Sequence, residues 1–257
     1  MSILISNDCS SYHIGSRLTT QVLKGLFSKY GKVWTSKYGN PEKHNLIVIN
    51  GEGSFHHDTK ASKALYETAL KSKRAGKRVC LINSVIDSVS FDLSIFDYIS
   101  SRESMSGGGT YPFTHDPCFY VDVRTPTLNE YVLFVDSVVK DKDRQIIESY
   151  NSYGGPKKYI KLTDYHSREV FDIFSRASFV VTGRYHGVVF SMMLKKPFVA
   201  LESNSHKIKG LLRDFKLSSN LKEDLGCVGD LIHTNIPYIN MVPVRKGLEE
   251  MVSKCII

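Results

Sequence analysis

The sequence predicts an α/β fold with two Rossmann-like lobes, each built around a parallel β-sheet, and a central cleft between them. Strand-like and helix-like stretches alternate along nearly all of the 257 residues, which is the pattern of successive βα units. The strand-like stretches are continuous apolar runs, as in parallel strands that are covered on both faces. The series breaks near residues 123–130 and starts again, so we predict an N-terminal lobe at residues 1–125 and a C-terminal lobe at residues 126–257.

The first half opens on a short apolar strand. A helix follows whose large apolar side chains share one face, and Gly31 ends it. The next helix comes directly after Asp58, which we expect to be its N-cap residue. Strands are predicted at residues 2–6, 32–36, 45–50, 78–85 and 98–102, and helices at residues 17–30 and 59–75. These elements are sufficient for one Rossmann-like lobe.

The second half repeats the alternation. Its first strand is an apolar run, and Gly154-Gly155-Pro156 ends the helix that follows. Strands are predicted at residues 131–138, 158–162, 179–182 and 197–202, and helices at residues 142–153, 167–177, 187–195 and 207–215. The repeated order indicates a second lobe of the same type.

Composition excludes several classes of protein. Hydrophobic residues make up 42% and charged residues 23%, which is typical of a globular chain. The apolar runs are shorter than the roughly 18 residues of a membrane helix, and the N-terminus lacks the features of a secretory signal. The five cysteines are scattered without a CxxC pair, which argues against a disulfide framework and a zinc site. We therefore expect a cytoplasmic protein with no membrane partner.

The charge balance points to an anionic partner. Lysine and arginine exceed the acids by 34 to 26, for a net charge of +8 and a pI near 9.1. Such an excess favours polyanionic or phosphorylated partners.

The segment Val180–Gly187 is the first candidate site. An apolar β-branched run ends in a turn that holds Arg184 and His186, and a helix follows at once. Ligands collect at the carboxyl ends of parallel strands, where helix N-termini attract anions. A guanidinium binds phosphate or carboxylate, and a histidine can carry a proton near neutral pH. The turn thus predicts a phosphorylated ligand, unless it is an ordinary basic surface turn.

A glycine-rich turn after residue 50 is the second candidate site. A strand ends in two glycines, which allow a ligand to approach the backbone closely, and groups able to transfer protons follow. We prefer this interpretation to a plain βα turn, because adjacent histidines in a glycine turn have little structural use. A two-histidine metal site is also disfavoured, because the side chains of adjacent residues diverge and no third ligand is evident. The candidate residues are Gly51, Glu52, Gly53, Ser54, His57 and Asp58.

Two further strand ends carry polar residues. His13 and Gly15 lie in an early strand–loop–helix connection, where serine and asparagine caps are the alternative explanation. Glu202 and Lys207 follow a later strand and would reach the same sheet edge as Arg184, although Lys207 could belong to a solvated helix face.

Several of these motifs together resemble the polysaccharide pyruvyl transferase family. The resemblance spans roughly residues 7–217 and rests on motifs in the right order: Asn50-Gly-Glu-Gly-Ser-Phe-His-His-Asp58, Ser101-Arg102-Glu103-Ser104, Gly183-Arg184-x-His186, Lys196-Pro197 and Lys207. It implies a two-lobed, GT-B-like architecture related to glycosyltransferases, with the Gly-Glu-Gly loop at the cleft. It also implies that Arg184, His186 and Lys207 engage an anionic donor, and it adds Arg102 to the donor-binding residues.

Our first functional hypothesis is a glycosyltransferase. Arg184 and Lys207 would hold the diphosphate of a nucleotide sugar with His186 assisting, while His57, Asp58 or Glu52 takes a proton from the acceptor hydroxyl. The positive charge favours a polyanionic acceptor, with a hydroxymethylated base in bacteriophage DNA as the best candidate. Basic residues mixed with aromatic ones support this acceptor, or else form solvated faces; they lie at residues 29–38 and 157–161.

The alternative is what the family implies, namely pyruvyl transfer from phosphoenolpyruvate to sugar hydroxyls as a ketal. Arg184 and Lys207 would then hold the carboxylate and phosphate, and a histidine would protonate the methylene carbon. A binding module with a decayed site is a third hypothesis, which the intact proton-carrying residues disfavour. No metal site is predicted, although Asp58, Asp116 and Asp122 are available to a divalent cation. The sequence does not specify the oligomeric state.

Overall fold

A computed structural model describes residues 1–123, 128–232 and 239–257. The chain forms two compact units. Unit 1 comprises Met1–Ser11, Gly15–Val121 and Met241–Ile257, and unit 2 comprises Tyr12–Ile14 and Asp122–Asn240. Each unit contains a parallel sheet of five strands, so the predicted α/β class with parallel sheets is confirmed.

The sheet of unit 1 is built from the predicted strands. They are β1 Ser2–Ser6, β2 Lys32–Ser36, β3 Leu46–Asn50, β4 Arg78–Ser84 and β5 Tyr98–Ser101, in the spatial order β2-β1-β3-β4-β5. Every residue of the central strand β3 is buried, which explains its continuous apolar sequence. Helices α1 Ile14–Ser28 and α2 Lys60–Arg74 follow the first and third strands. The carboxyl ends of β1, β3, β4 and β5 therefore meet at one edge.

Helix α2 begins one residue later than predicted. Thr59, not Asp58, is its N-cap residue, and the Thr59 hydroxyl accepts a hydrogen bond from the Ser62 N–H at 3.1 Å. An N-cap residue needs extended backbone dihedrals. Asp58 has a φ of 45°, in the left-handed region, whereas Thr59 has a φ of −61° and a ψ of 162°. The Asp58 carboxylate instead accepts from the backbone N–H of Ser90 at 3.0 Å.

Unit 2 repeats the architecture with five strands and five helices among its described residues. The strands are β6 Tyr131–Ser137, β7 Lys157–Ile160, β8 Ala177–Gly183, β9 Phe198–Leu201 and the short β10 Leu221–Lys222, in the order β10-β9-β8-β6-β7. The helices are α3 Lys140–Ser152, α4 Glu169–Ser175, α5 Tyr185–Met193, α6 Lys207–Asp214 and α7 Val228–Leu231. Strand β10 was not predicted, since two residues are too few for a recognisable pattern.

The last helix returns the chain to unit 1. Helix α8 Val242–Ile256 was not predicted, and it buries an apolar face that includes Leu248 and Met251. The Arg78 guanidinium, at the start of β4, donates to the carbonyl oxygens of Cys255 at 2.8 Å and Lys254 at 3.1 Å. A positively charged group suits a helix C-terminus, where carbonyls lack helical partners.

The two units differ from the predicted ranges in two places. Residues 12–14 group with unit 2, and the segment Met241–Ile257 groups with unit 1. The predicted junction at residues 123–130 includes residues 124–127, which lie outside the described residues. Within the described parts of the chain, the helices are all too short or too polar to cross a membrane.

Candidate functional site

Arg184 lies at the carboxyl end of β8 and is the N-cap residue of α5. Its side chain is 11% exposed and faces Asp136, near the end of the neighbouring strand β6. The Nε atom donates to Asp136 Oδ1 at 2.9 Å and Nη2 donates to Oδ2, so the contact is bidentate. Asp136 Oδ1 also accepts from the Leu162 N–H at 3.0 Å. The orientation of the guanidinium is therefore fixed from two strands.

Residues from two separate sequence motifs come together here. The His13 ring contacts the His186 ring edge-on, with centroids 4.9 Å apart, and both rings are buried. Tyr12, beside His13, accepts from Nη1 of Arg184 at 3.4 Å. The Ile14 N–H donates to the Tyr165 carbonyl at 2.9 Å, which holds this segment on unit 2. His13, Arg184 and His186, with Asp136 and Tyr12, form what we call the β8 cluster.

Close packing of α5 on the sheet positions the β8 cluster. A Cβ atom at Gly183 would overlap the Ser137 side chain, and one at Gly187 would overlap Oγ1 of Thr182. The same Thr182 hydroxyl accepts from the Arg184 N–H at 3.0 Å. The first turn of α5 thus lies directly against β8, and this determines where the side chains of Arg184 and His186 can reach.

The β8 cluster presents directed hydrogen-bond donors. Asp136 and Tyr12 engage three of the five guanidinium N–H groups of Arg184. Burial by itself lowers the pKa of Arg184, but the hydrogen bonds and charge of Asp136 outweigh it, and the pKa is raised above its ordinary value. The guanidinium therefore stays cationic while Asp136 balances its charge. An anion here would be met by N–H groups and by the N-terminus of α5.

Glu202 and Lys207 lie at the carboxyl end of β9, the neighbour of β8. The Glu202 carboxylate accepts from the backbone N–H groups of Ser203 at 3.0 Å and Lys209 at 3.2 Å. Burial raises the pKa of Glu202, and the backbone hydrogen bonds offset part of that rise. The Lys207 ammonium donates to Asn204 Oδ1 at 2.6 Å. The backbone in the first turn of α6 is thus hydrogen-bonded to the Glu202 carboxylate, and the same turn carries the predicted Lys207.

In unit 1, the predicted glycine turn is connected to its neighbours by asparagine side chains. Asn7 Nδ2 donates to the Asn50 carbonyl at 2.7 Å, and Asn83 Nδ2 donates to Asn50 Oδ1 at 2.9 Å. Asn7 follows β1, Asn50 ends β3 and Asn83 is the next-to-last residue of β4, and these three strands lie side by side. Asn83 is a site residue that the sequence analysis missed. Its signal was an amide side chain within the apolar run of a buried strand.

The backbone of the turn has unusual dihedrals. Glu52 and Gly53 have φ values of 41° and 71°, and the Ser54 N–H closes the turn by donating to the Gly51 carbonyl at 2.7 Å. A Cβ atom at Gly51 would overlap the Ser84 side chain, so this position requires glycine.

The Glu52 carboxylate lies within this asparagine network. Asn50 Nδ2 donates to Oε2 of Glu52 at 3.4 Å. Burial, together with the Glu52 charge, raises the pKa of the Cys9 thiol to about 12. Cys9 is therefore protonated at neutral pH and is not a nucleophile there.

The other two predicted bases, His57 and Asp58, differ in how well they can accept a proton. Nδ1 of His57 lies 2.8 Å from Nδ1 of His56, and its Nε2 lies 3.7 Å from Asp87 Oδ2, with 49% of the side chain exposed. Hydrogen bonding by Ser90 lowers the pKa of Asp58. A carboxylate with a lowered pKa is a weak proton acceptor at neutral pH. Among these two, His57 is the better general base.

Arg102 and Gly15 lie in a buried framework. The Arg102 side chain is 2% exposed, and its Nη1 lies 3.4 Å from Oδ2 of the buried Asp116. Asp116 Oδ1 accepts from the Thr19 hydroxyl at 3.2 Å, and the Gly15 carbonyl accepts from the Cys118 thiol at 3.3 Å. These bonds attach the start of α1 to the segment after β5, which is a positioning role.

Comparison with known proteins identifies the family. A family model, "Polysaccharide pyruvyl transferase", matches residues 14–205, about three quarters of the chain. The chain belongs to this family. Membership in the polysaccharide pyruvyl transferase family makes the protein a transferase, and the predicted resemblance is confirmed. No curated protein matches the sequence significantly.

Solved structures support the fold of this family member. An uncharacterised protein from Klebsiella pneumoniae aligns with a TM-score of 0.57 at 11% identity, over 85% of this chain and 90% of the other. An alpha-glucosyltransferase in complex with UDP aligns with a TM-score of 0.50 at 9% identity, over 97% and 89%. The predicted GT-B-like fold is confirmed. At such low identity the likeness concerns the fold alone.

Proposed function

We propose that the protein transfers a pyruvyl group from phosphoenolpyruvate to two hydroxyls of a sugar, forming a ketal and releasing inorganic phosphate. The observation that carries the proposal is the β8 cluster, whose residues Asp136, Arg184 and His186 lie within the matched region. There a guanidinium in fixed orientation accompanies two buried imidazoles. This combination suits a small donor that carries carboxylate and phosphate and must also receive a proton.

The reaction balances as follows. A proton adds to the methylene carbon of phosphoenolpyruvate, and the oxygen of one sugar hydroxyl bonds to the adjacent carbon. The bond from that carbon to the phosphate oxygen then breaks, and the second sugar oxygen takes its place. One of the two hydroxyl protons replaces the proton that the protein gave to the methylene carbon. The other protonates the departing phosphate.

The donor-side roles go to unit 2. Arg184 binds one anionic group of the donor through the guanidinium N–H groups that face away from Asp136, and Lys207 binds the other. His186 or His13 protonates the methylene carbon. The two ring centroids lie 4.9 Å apart, so either imidazole is close enough to the other to serve the same bound donor.

The acceptor-side roles go to unit 1. His57 or Glu52 accepts the proton of the attacking sugar hydroxyl, and the glycines at 51 and 53 allow the sugar to approach the backbone. Asp58 contributes less as a base, because its hydrogen bond with Ser90 stabilises the charged form.

A nucleotide-sugar donor and a DNA acceptor form the first hypothesis from the sequence. The family match favours its stated alternative, pyruvyl transfer, and the likeness to the alpha-glucosyltransferase extends only to the fold. The matched family concerns polysaccharides, and nothing in the comparisons supports a DNA acceptor. We therefore take a sugar hydroxyl as the acceptor and keep glycosyl transfer as the outcome that would replace the proposal.

The test uses the full chain, phosphorus NMR and a panel of methyl glycosides as acceptors. We expect the phosphoenolpyruvate signal to broaden when the protein is added and inorganic phosphate to accumulate when an acceptor is present. In D2O, the methyl group of the product should carry one deuterium. A nucleoside diphosphate formed from UDP-glucose, with phosphoenolpyruvate untouched, would show that the protein is a glycosyltransferase instead.

The Arg184→Lys variant tests the role of the β8 cluster. Lysine keeps a positive charge beside Asp136 but cannot form the bidentate contact, so we expect phosphate release to fall roughly 10- to 100-fold. Arg144→Ala, which removes an exposed arginine on α3, is the matched control and should leave the rate unchanged. Equal rates for both variants would mean that Arg184 does not contact the donor.

A further inference from the structure

The edge strand of unit 1 carries an unusual surface. Strand β2 is the terminal strand of the sheet order, and none of its residues is fully buried. Trp34, on this strand, is 47% exposed, and Tyr38, just after it, is 45% exposed. Lysine on an edge strand is a common protection against aggregation, but a large exposed aromatic ring has the opposite effect. The pair of exposed rings therefore needs another explanation.

Each exposed ring has a lysine beside it. The Lys32 ammonium lies 4.5 Å from the centroid of the Trp34 ring, and the Lys37 ammonium lies 5.8 Å from that of Tyr38. Both distances are within the range of cation–π contacts. Lys32 and Trp34 are two positions apart on a strand, so their side chains share one face of the sheet. The surface thus carries two pairs of the same kind, each an aromatic ring with an ammonium group beside it.

The surroundings of these two pairs are also basic. Residues 29–44 contain four lysines and one acid. The His44 ring lies 6.2 Å from the Trp34 ring, and its pKa is lowered by burial and by the charges of Lys77 and Lys43. At neutral pH His44 is therefore uncharged, and the lysines provide the positive charge of this surface.

A groove adjoins the second pair. It has a volume of about 460 Å³ and lies between residues 39–42 and the end of α2, where Lys71 and Arg74 are exposed. This volume is in the range of small-ligand sites. Gly39, which lines the groove, directly follows Tyr38 in the chain. We call the two ring–lysine pairs together with this groove the β2 edge surface.

We propose that the β2 edge surface is a docking site for the acceptor, and that this acceptor is an anionic polysaccharide. The apolar face of a sugar ring suits the exposed face of Trp34 or Tyr38, while an acidic substituent of that sugar suits the ammonium beside it. The two rings, Trp34 and Tyr38, are four residues apart in sequence, so their backbone positions are at most about 14 Å apart. They match a polymer whose acidic groups recur. The choice of a saccharide over another polyanion rests on the proposed function.

The test exploits the single tryptophan of the chain, because Trp34 fluorescence then reports on this surface alone. Oligogalacturonate is titrated into the full-length protein without donor. We expect a saturable change in Trp34 emission and a dissociation constant that rises with salt concentration. Neutral dextran oligomers of the same length should produce no saturable change. No response to oligogalacturonate, or an equal response to dextran, would overturn the proposal.

Variants locate the binding site. Lys32→Ala and Lys37→Ala should each weaken oligogalacturonate binding about threefold, and the double variant about tenfold. Lys140→Ala, which removes an exposed lysine from unit 2, should have no effect. By calorimetry, Trp34→Ala should weaken binding about tenfold, whereas Trp34→Phe should retain most of it. If the lysine variants bind as tightly as the wild type, the docking site lies elsewhere.

Two comparisons separate this proposal from its competitors. An oligothymidylate that binds more tightly than oligogalacturonate, and competes with it, would assign the surface to nucleic acid instead. Phosphate release from phosphoenolpyruvate with small methyl glycosides does not require this surface. Transfer without oligogalacturonate binding would overturn the docking site alone. Binding without transfer would overturn the proposed reaction alone.

Discussion

Arg184 shows how an environment changes what a residue can do. From the sequence it is a basic residue in a turn, ready to meet an anion. In the structure it is buried and already paired with Asp136 through two hydrogen bonds. Removing one partner of a buried pair leaves an unpaired charge and costs about 3–5 kcal/mol. This is why Arg184→Lys, rather than Arg184→Ala, is the informative change.

His115 makes stability depend on pH. It is half-buried between the rings of Phe113 and Phe119 in unit 1, and this burial lowers its pKa to about 4, although Asp116 and Glu103 act in the opposite direction. The folded protein therefore holds His115 neutral, while the unfolded chain takes up a proton near pH 6.5. The resulting stability is fully present above pH 6.5 and is lost as the pH falls towards 4.

We predict that His115→Gln reduces this pH dependence. Between pH 7 and pH 4.5, the wild type should lose about 2–3 kcal/mol more of its free energy of unfolding than the variant, as measured by urea denaturation. His166→Gln, at an exposed position, should behave like the wild type. Parallel pH profiles for wild type and His115→Gln would contradict the assignment.

At the scale of elements, the decisive contact is that of α5 with β8. The sequence predicts both elements, but their separation depends on which side chains lie between them. Gly187 has no side chain at the point where Thr182 approaches. The helix can therefore lie close to the strand and carry His186 to His13. A larger residue at position 187 would move the helix end and, with it, the β8 cluster.

Gly187→Ala should destabilise the protein by about 1–3 kcal/mol, because the added methyl group overlaps the Thr182 hydroxyl. Gly154→Ala is the matched control, since a Cβ atom there meets no neighbouring atom within 4 Å. It should be neutral within about 0.5 kcal/mol. Urea denaturation compares the two variants. Equal stabilities would mean that α5 shifts without cost.

At the scale of the whole molecule, α8 belongs to a unit that the chain left about 120 residues earlier. Its buried face includes Leu248, which is fully inaccessible to solvent. The bonds from Arg78 to the last carbonyls attach its C-terminus to β4. The stability of unit 1 should thus depend on residues at the far end of the sequence.

Leu248→Ala tests this dependence. We expect a loss of about 2–5 kcal/mol, with faster amide hydrogen exchange in β4 and β5 but unchanged exchange in β6 and β8. Val242→Ala on the same helix is the control, because Val242 is exposed and should contribute little. Faster exchange in β6 and β8 instead would assign α8 to unit 2.

The residues that sequence reasoning identified, and those it missed, differ in a physical way. Strand ends that carry a glycine or a histidine, such as Gly51 and His186, stand out against the apolar pattern. Asp136 and Asn83 escaped notice because a single polar residue late in a strand is compatible with many roles. Thr59 escaped as an N-cap because the left-handed backbone of its neighbour Asp58 is not encoded in composition.

The sequence by itself determined the alternation of strands and helices and the family, because apolar periodicity and ordered motifs are local properties of the chain. Only the tertiary structure decided which polar groups are neighbours: Asp136 with Arg184, His13 with His186, and α8 with unit 1. The residues of the first two pairs are 48 and 173 positions apart, and α8 lies about 120 residues after the preceding part of unit 1. Contacts over such distances arise from sheet order and packing, which no local pattern specifies.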